Sequence, residues 1–392
     1  MAFQADRVVS GTSTMRRNMP ALTMMRAFLA WWVVLFHAAP LYPFGIDQQS
    51  LLLRCGVIRV DCFFVISGFV LFGAHPALID RARPEALRSF FAARFARVYP
   101  LHLVMLCLFV LLVLGTHLAG IHLNNERIFT VRALVNQVLL HGSIFPDIES
   151  WNYPSWSIGA EAIAYLAAPV LFLLASRLSH REALLAMVLV GVTVIGLTEA
   201  DRLTRPAMIA WRVLLEFSLG ALMSRVVQRF HAPMLKVRPT ALLAGAAGAA
   251  GFALLPGHGL FFAALLWMIG FLSLRSAPHT GLSGRIEAVL LYLGETAFAV
   301  YICHAFVLTL WAGVAKRFDL GLLDHPLPAA IMLCVAIQLL ATSLNRFIEV
   351  PARRAIRNAL QEGGRIPKMA PGKLVASPED AAAAGGQVAV LV

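Results

Sequence analysis

The sequence predicts an all-α integral membrane protein of about ten transmembrane helices with both termini in the cytoplasm. Three observations carry that prediction. The first is composition: of 392 residues, 59% are hydrophobic and only 14% charged, with a mean hydropathy of +0.75. No soluble domain hides that much apolar surface, whereas a bilayer solvates it. The second is length: apolar runs long enough to span occur near 22–42, 55–73, 98–118, 156–178, 182–199, 207–228, 240–256, 259–275, 289–313 and 327–348. The third is charge asymmetry. With the N-terminus inside, most of the 33 basic residues fall on the cytoplasmic side, among them Arg81, Arg83, Arg88, Arg94 and Arg97 before the third span and Arg353, Arg354 and Arg357 after the last. The opposite side holds few, such as Arg54, Arg127, Arg132, Arg202, Arg205, Lys316 and Arg317. The net charge of +12 is therefore a topological signal. No basic stripe interleaved with aromatics suggests nucleic acid as a partner; the lipid bilayer is the expected one.

Residues 1–21 form a cytoplasmic segment without the apolar core or cleavage site of a signal peptide, so the first span is expected to direct insertion. That span carries Arg26 and His37. Eleven residues are about three helical turns, which puts both side chains on one face roughly 16 Å apart along the axis. A guanidinium and an imidazole within the bilayer are costly and mark a functional site by default. His37 has the chemistry of a general base, and Arg26 that of a group steadying an anion or an oxyanion; the plain alternative is a snorkelling arginine and a packing histidine.

The second span carries Arg59-Val-Asp61 and Ser67-Gly68. Arg59 and Asp61 are spaced i, i+2 and do not face each other on a helix, so Asp61 is expected to pair with Arg26 or to orient His37. Ser67-Gly68 permits close approach of a neighbouring backbone. At the cytoplasmic entrance of the third span, Arg94 and Arg97 lie i, i+3, a spacing that sets two guanidinium forks on one face, suited to the phosphates of a nucleotide-type molecule.

The connection 119–155 is long, slightly acidic through Glu126, Asp147 and Glu149, and amphipathic near 128–141. It is a reasonable place to meet a substrate. The fourth span opens with Trp156-Ser157-Ile-Gly-Ala-Glu161. Ser157 has the chemistry of a helix cap and Glu161 that of a first-turn acid, or Glu161 joins the site by binding a hydroxyl or tuning His37. The ninth span holds Tyr301-Ile-Cys-His304, an i, i+3 pair able to line a cavity. The tenth closes on Glu349-Val-Pro351-Ala-Arg353, where Pro351 marks the stop and Glu349 and Arg353 form an i, i+4 pair. Beyond it, 354–392 reads as a cytoplasmic, mostly disordered tail. The five cysteines, Cys55, Cys62, Cys107, Cys303 and Cys334, form no CxxC pair and read as small buried hydrophobes. With no HExxH, Walker or GxGxxG motif, neither a metal site nor nucleotide hydrolysis is expected.

In order, Arg26-x10-His37, Asp61-Cys-Phe-Phe-Val-Ile-Ser-Gly-Phe69, Arg94-x-x-Arg97-Val-Tyr-Pro100, Trp156-Ser-x-x-x-Glu161, Tyr301-Ile-Cys-His304 and Glu349-x-Pro-x-Arg353 resemble the membrane-bound acyltransferase-3 family of bacterial surface-glycan O-acyltransferases. The resemblance covers about 22–353, which it marks as the transmembrane acyltransferase domain, in the stand-alone form without a fused esterase-like domain. Ala162 stands where family members often have a second acidic residue, and Ala164 where an aromatic is usual. The resemblance implies acyl-coenzyme A, acetyl-coenzyme A foremost, as cytoplasmic co-substrate. It also implies a carbohydrate or lipid-linked glycan acceptor and residence in the bacterial cytoplasmic (inner) membrane. His37, Arg26, Glu161 and Asp61 then become the catalytic candidates, with His37 as general base or acyl relay. Arg94, Arg97, Tyr301 and His304 become the donor-binding candidates. The reading from another class is a secondary transporter using the buried ionisable residues as a proton or substrate path, although paired repeats with matching interrupted helices are not evident in the sequence.

Overall fold

The computed structural model describes residues 20–39, 58–76, 78, 83–121, 126–141, 150–199, 208–227, 284–318 and 326–362. Among them every regular element is helical. The helices are α1 (Pro20–Ala38), α2 (Ile58–Ala74), α3 (Pro84–Leu118), α4 (Val131–Val138), α5 (Trp156–Arg177), α6 (His180–Glu199), α7 (Ile209–Val227), α8 (Gly284–Glu295), α9 (Ala297–Phe318), α10 (Pro326–Leu344) and α11 (Val350–Glu362). The expected spans at 240–256 and 259–275 lie outside the described residues.

Among the described residues five helical segments are long and apolar enough to cross a membrane: Pro84–Leu118, Tyr153–Arg177, His180–Leu197, Ala297–Ala315 and Pro326–Leu360; α1 and α2 contain shorter apolar stretches. Helix α7 has span length, 19 residues, but Arg212, Glu216 and Arg225 interrupt its apolarity. Large apolar side chains face outward along these helices, including Leu111 and Leu114 of α3, Leu185, Leu189 and Val192 of α6, and Ile331, Val335 and Leu339 of α10. Acyl chains are the natural covering for such continuous apolar faces.

Among the described residues the most extensive helix pairing is that of α2 with α7. Gly68 lies against the backbone carbonyl of Phe217, and Gly220 against the carbonyl of Val65 and the amide of Phe69; a Cβ at either glycine would overlap those backbone atoms. Small residues on both partners permit this approach, the usual basis of helix pairing in lipid. Helix α5 packs beside the pair, with Phe172 stacked on Phe217 at 5.7 Å. Helix α1 lies against α2, α8 and α9, and Gly294 admits the carbonyl of Thr23.

Three departures from the expected spans have local causes. Helix α3 starts at Pro84, fourteen residues before the expected start at 98, and its 35 residues rise about 52 Å against a hydrocarbon thickness of about 30 Å. Its first turns, with Glu85, Arg88 and Arg94, therefore read as loop by hydropathy while being helix. The ninth span is split at Thr296, which is buried and turns its hydroxyl back to the carbonyls of Tyr292 and Leu293 (3.1 and 3.2 Å). Helix also continues through Pro351, the expected stop. A π turn at Asn345–Glu349 precedes it, so the proline falls in the first turn after a change of register, where its missing N–H costs least. Helix runs on through Glu362, and the rest of the expected tail lies outside the described residues.

Candidate active site

Helices α1, α2, α3, α5 and α9 enclose a cavity with room for several waters, about 90 Å³. One part of its wall is cationic, from Arg26, Arg94 and Arg97; one is apolar, from Val60, Phe63, Phe64, Val70, Leu71 and Phe298; and one is polar, from Ser67, Ser157, Glu161, Tyr165 and Tyr301. Of the eight residues singled out in the sequence, five therefore line one space: Arg26, Arg94, Arg97, Glu161 and Tyr301.

The three arginines make no hydrogen bond or ion pair with any described residue. Arg94 is only 7% exposed, and its buried Nε lacks a hydrogen-bond partner. The charges of Arg97 and Arg353 repel that of Arg26, whereas Glu349 and Glu161 attract it. A guanidinium nitrogen held out of water without a partner, as Arg94 Nε is, is costly, and three guanidiniums around one cavity favour an anion there.

Glu161 is fixed from two helices. Ser67 Oγ donates to its Oε1 at 3.0 Å, as does Tyr165 OH from the next turn of α5 at 2.5 Å. Ser67, expected to serve backbone approach, thus holds the acid; Gly68 alone meets the expected role. Ser157 does not cap α5. Its hydroxyl donates to the Pro154 carbonyl at 3.0 Å and lies 2.9 Å from Tyr301 OH, which reaches the same carbonyl at 3.1 Å.

His37 and His304 do not line this cavity. They form a pair beyond Tyr301: His37 Nδ1 lies 3.1 Å from His304 Nε2, the rings are nearly parallel with centroids 5.1 Å apart, and His304 Nδ1 lies 2.6 Å from the Tyr301 carbonyl. His304 is fully buried. The ring of Tyr153, from the turn Tyr153–Ser155 before α5, sits 4.8 Å from that of His37. His304, grouped with Arg94 and Arg97 as donor-binding, instead belongs with His37, and Tyr301 joins the pair to the cavity through its carbonyl on one side and its hydroxyl on the other.

Asp61 is also placed differently from expectation. It pairs with Arg212 of α7, whose Nε donates to Glu216 Oε1 at 3.2 Å. It does not line the cavity, because its face of α2 is the one closed against α7. Arg212 and Glu216 were legible as an intramembrane i, i+4 pair; their carboxylate partner 151 positions away was not.

The turn carrying Tyr153 is anchored by Gln137 of α4, which accepts from the Asn152 amide at 3.1 Å and donates to the Asn152 carbonyl at 3.0 Å and to Ser155 Oγ at 2.6 Å. Asn152 Nδ2 in turn donates to the carbonyl of Ile302 at 3.1 Å, tying the turn to α9 beside His304. Among the described residues no group of three or more His, Cys, Asp or Glu is placed to hold a metal ion.

Comparison with known proteins adds a family. The profile described as "Acyltransferase domain" matches residues 19–346. The chain is similar to "Acyltransferase MdmB" of Streptomyces mycarofaciens, at 31% identity over 74% of this chain and 79% of the relative. It is similar to "Exopolysaccharide production protein ExoZ" of Rhizobium meliloti, at 27% identity over 74% and 86%. It is also similar to "Peptidoglycan O-acetyltransferase OatA" of Listeria monocytogenes, at 23% identity over 86% and 56%. No solved structure matches.

Proposed function

The chain belongs to this acyltransferase family, and from that premise we propose that it is a membrane O-acyltransferase. In this reading it moves an acyl group, acetyl foremost, from cytoplasmic acyl-coenzyme A to a hydroxyl of an envelope or exported carbohydrate, free or lipid-linked. The bacterial cytoplasmic membrane is its proposed seat. The relatives named for exopolysaccharide production and peptidoglycan O-acetylation support a carbohydrate acceptor.

The observation that carries the reading is the make-up of the cavity wall: three arginines, a set of apolar side chains, and Tyr301, whose carbonyl contacts His304 of the histidine pair outside the wall. Acyl-coenzyme A combines chemistries that suit such a wall: an anionic phosphate end, a slender pantetheine arm and a thioester. Guanidinium forks suit phosphate oxygens. The apolar side chains exclude water along the arm, and a thioester at the far end would meet His37. By helical rise Arg26 is about three turns from His37, and it shares its surroundings with Arg97 and Arg353. It is therefore assigned to the donor's phosphates rather than to the oxyanion. Glu161, held by Ser67 and Tyr165, balances part of the arginine charge.

In the chemical step His37 takes the proton of the acceptor hydroxyl as its oxygen attacks the thioester carbonyl. The tetrahedral adduct expels the thiolate, and the proton passes from His37 to that sulfur. An ester forms, a thioester breaks, and no net proton is gained or lost. The test is transfer of labelled acetyl from acetyl-coenzyme A to glycan in membranes holding the parent protein or His37→Ala. Transfer by the parent, falling by about a hundredfold or more in the variant at equal inserted protein, is expected. Full transfer by His37→Ala would overturn the assignment of the base.

A further inference from the structure

The pairing of the two histidines has a direction. The carbonyl of Tyr301 can only accept, so the 2.6 Å contact with His304 Nδ1 requires a hydrogen on that nitrogen. A neutral ring protonated at Nδ1 presents a lone pair at Nε2. The 3.1 Å contact of that atom with His37 Nδ1 is then a hydrogen bond only if His37 brings the hydrogen. His37, neutral, must in turn carry its lone pair at Nε2.

We infer that His304 is a positioning residue that fixes the tautomer and ring orientation of His37, so that Nε2 of His37 is the base. The inference rests on the proposed role of His37 and adds the group that prepares it.

Three features support this assignment. The carbonyl of Tyr301 is three residues back on the same helix, so the first link of the chain is set by α9 itself. Asn152 ties the neighbouring Ile302 carbonyl to the turn bearing Tyr153, and the Tyr153 ring closes on both imidazoles, with centroids 4.8 Å from His37 and 5.8 Å from His304. The third is the position of the carboxylate: Asp61, the acid expected to orient His37, is engaged by Arg212. In hydrolases with a serine, histidine and acid, the carboxylate receives the Nδ1 hydrogen of the base and holds its tautomer. Here a second imidazole, itself held by a main-chain carbonyl, occupies that place. As a neutral acceptor it orients the base without placing a fixed negative charge next to it in the bilayer.

The chemistry required at residue 304 is an acceptor at the position of Nε2. A glutamine carboxamide oxygen reaches that position, whereas leucine fills the volume and offers no acceptor. The test measures kcat and the KM for acetyl-coenzyme A in His304→Leu, His304→Gln and His37→Ala, each normalised to folded, inserted protein. His304→Leu is expected to lose about a hundredfold or more in kcat with the donor KM little changed, and His304→Gln to recover at least about tenfold of that loss. A purely packing role predicts the reverse, since leucine keeps the packing and glutamine does not. Parental kcat in His304→Leu beside an inactive His37→Ala would overturn the positioning role and leave His37 as base. Equal losses in Leu and Gln variants, both inserted, would overturn the acceptor role. Full activity of His37→Ala would instead overturn the underlying assignment of the base.

Discussion

Arg94 shows how a single side chain can be both legible and costly. Its charge, paired i, i+3 with Arg97 at the entrance of the third span, was visible in the sequence, and the structure buries it to 7% exposure with its Nε unpartnered. Evolution tolerates such a group where a ligand completes it. Replacing it removes charge-assisted hydrogen bonds to the proposed donor phosphates, each worth about 1.5–3 kcal/mol. Arg94→Ala is thus expected to raise the KM for acetyl-coenzyme A by about 10- to 100-fold while changing kcat much less, as steady-state kinetics on membranes would show. A fall in kcat at constant KM would instead move Arg94 toward the reacting carbonyl. What the sequence concealed was partnership: Ser67 with Glu161, His37 with His304 and Asp61 with Arg212 lie 94, 267 and 151 positions apart. Intramembrane ionisable groups announce themselves one at a time by their cost; who satisfies whom depends on which helix faces touch, and hydropathy holds no record of that.

Helix faces are set by small residues more than by the apolar majority. Lipid is as apolar as leucine, so close backbone approach rather than hydrophobic gain selects partners. Gly220 presses against the backbone of Val65 and Phe69, while Gly115 near the end of α3 has open space around it. Gly220→Ala is expected to separate α2 from α7, costing about 1–3 kcal/mol as overpacking does, and to lower the apparent Tm of the protein in micelles by several degrees. Gly115→Ala should leave the Tm near the parental value or raise it, since alanine suits a helix better than glycine. If the two variants melt alike, the α2–α7 contact is not the keystone assigned here. At this scale the apolar runs located α1, α2, α5, α6, α7 and α10 to within a few residues. They failed at the charged start of α3, at the Thr296 break and at the π turn. Each of these is a place where hydropathy alone does not mark whether helix starts, bends or continues. The π turn also has a use: it buries Glu349 and lets it accept from Asn345 and Arg353, both at 3.0 Å.

For the whole molecule, the decisive property is which end of the cavity meets the cytoplasm. Acyl-coenzyme A is a cytoplasmic metabolite in this reading, so the arginine end must open inward and the Tyr153 turn must face the acceptor. The bias of Lys and Arg, which counts Arg94 and Arg97 with other basic residues far from the cavity, predicts the same orientation, and the two arguments stand or fall together. Arg357 of α11 and Arg132 of α4 are exposed and are expected on opposite sides of the membrane by the charge bias, so single cysteines there report orientation directly. On a background with the five native cysteines replaced by alanine, Arg132→Cys should react with a membrane-impermeant maleimide in cells whose outer barrier is permeabilised. Arg357→Cys should react only after the inner membrane is opened. The opposite pattern would turn the arginine cluster outward, away from any pool of acyl-coenzyme A. The cavity would then have to serve an external anion, and the proposed order of donor inside and acceptor outside would fail even if every distance in the site were correct.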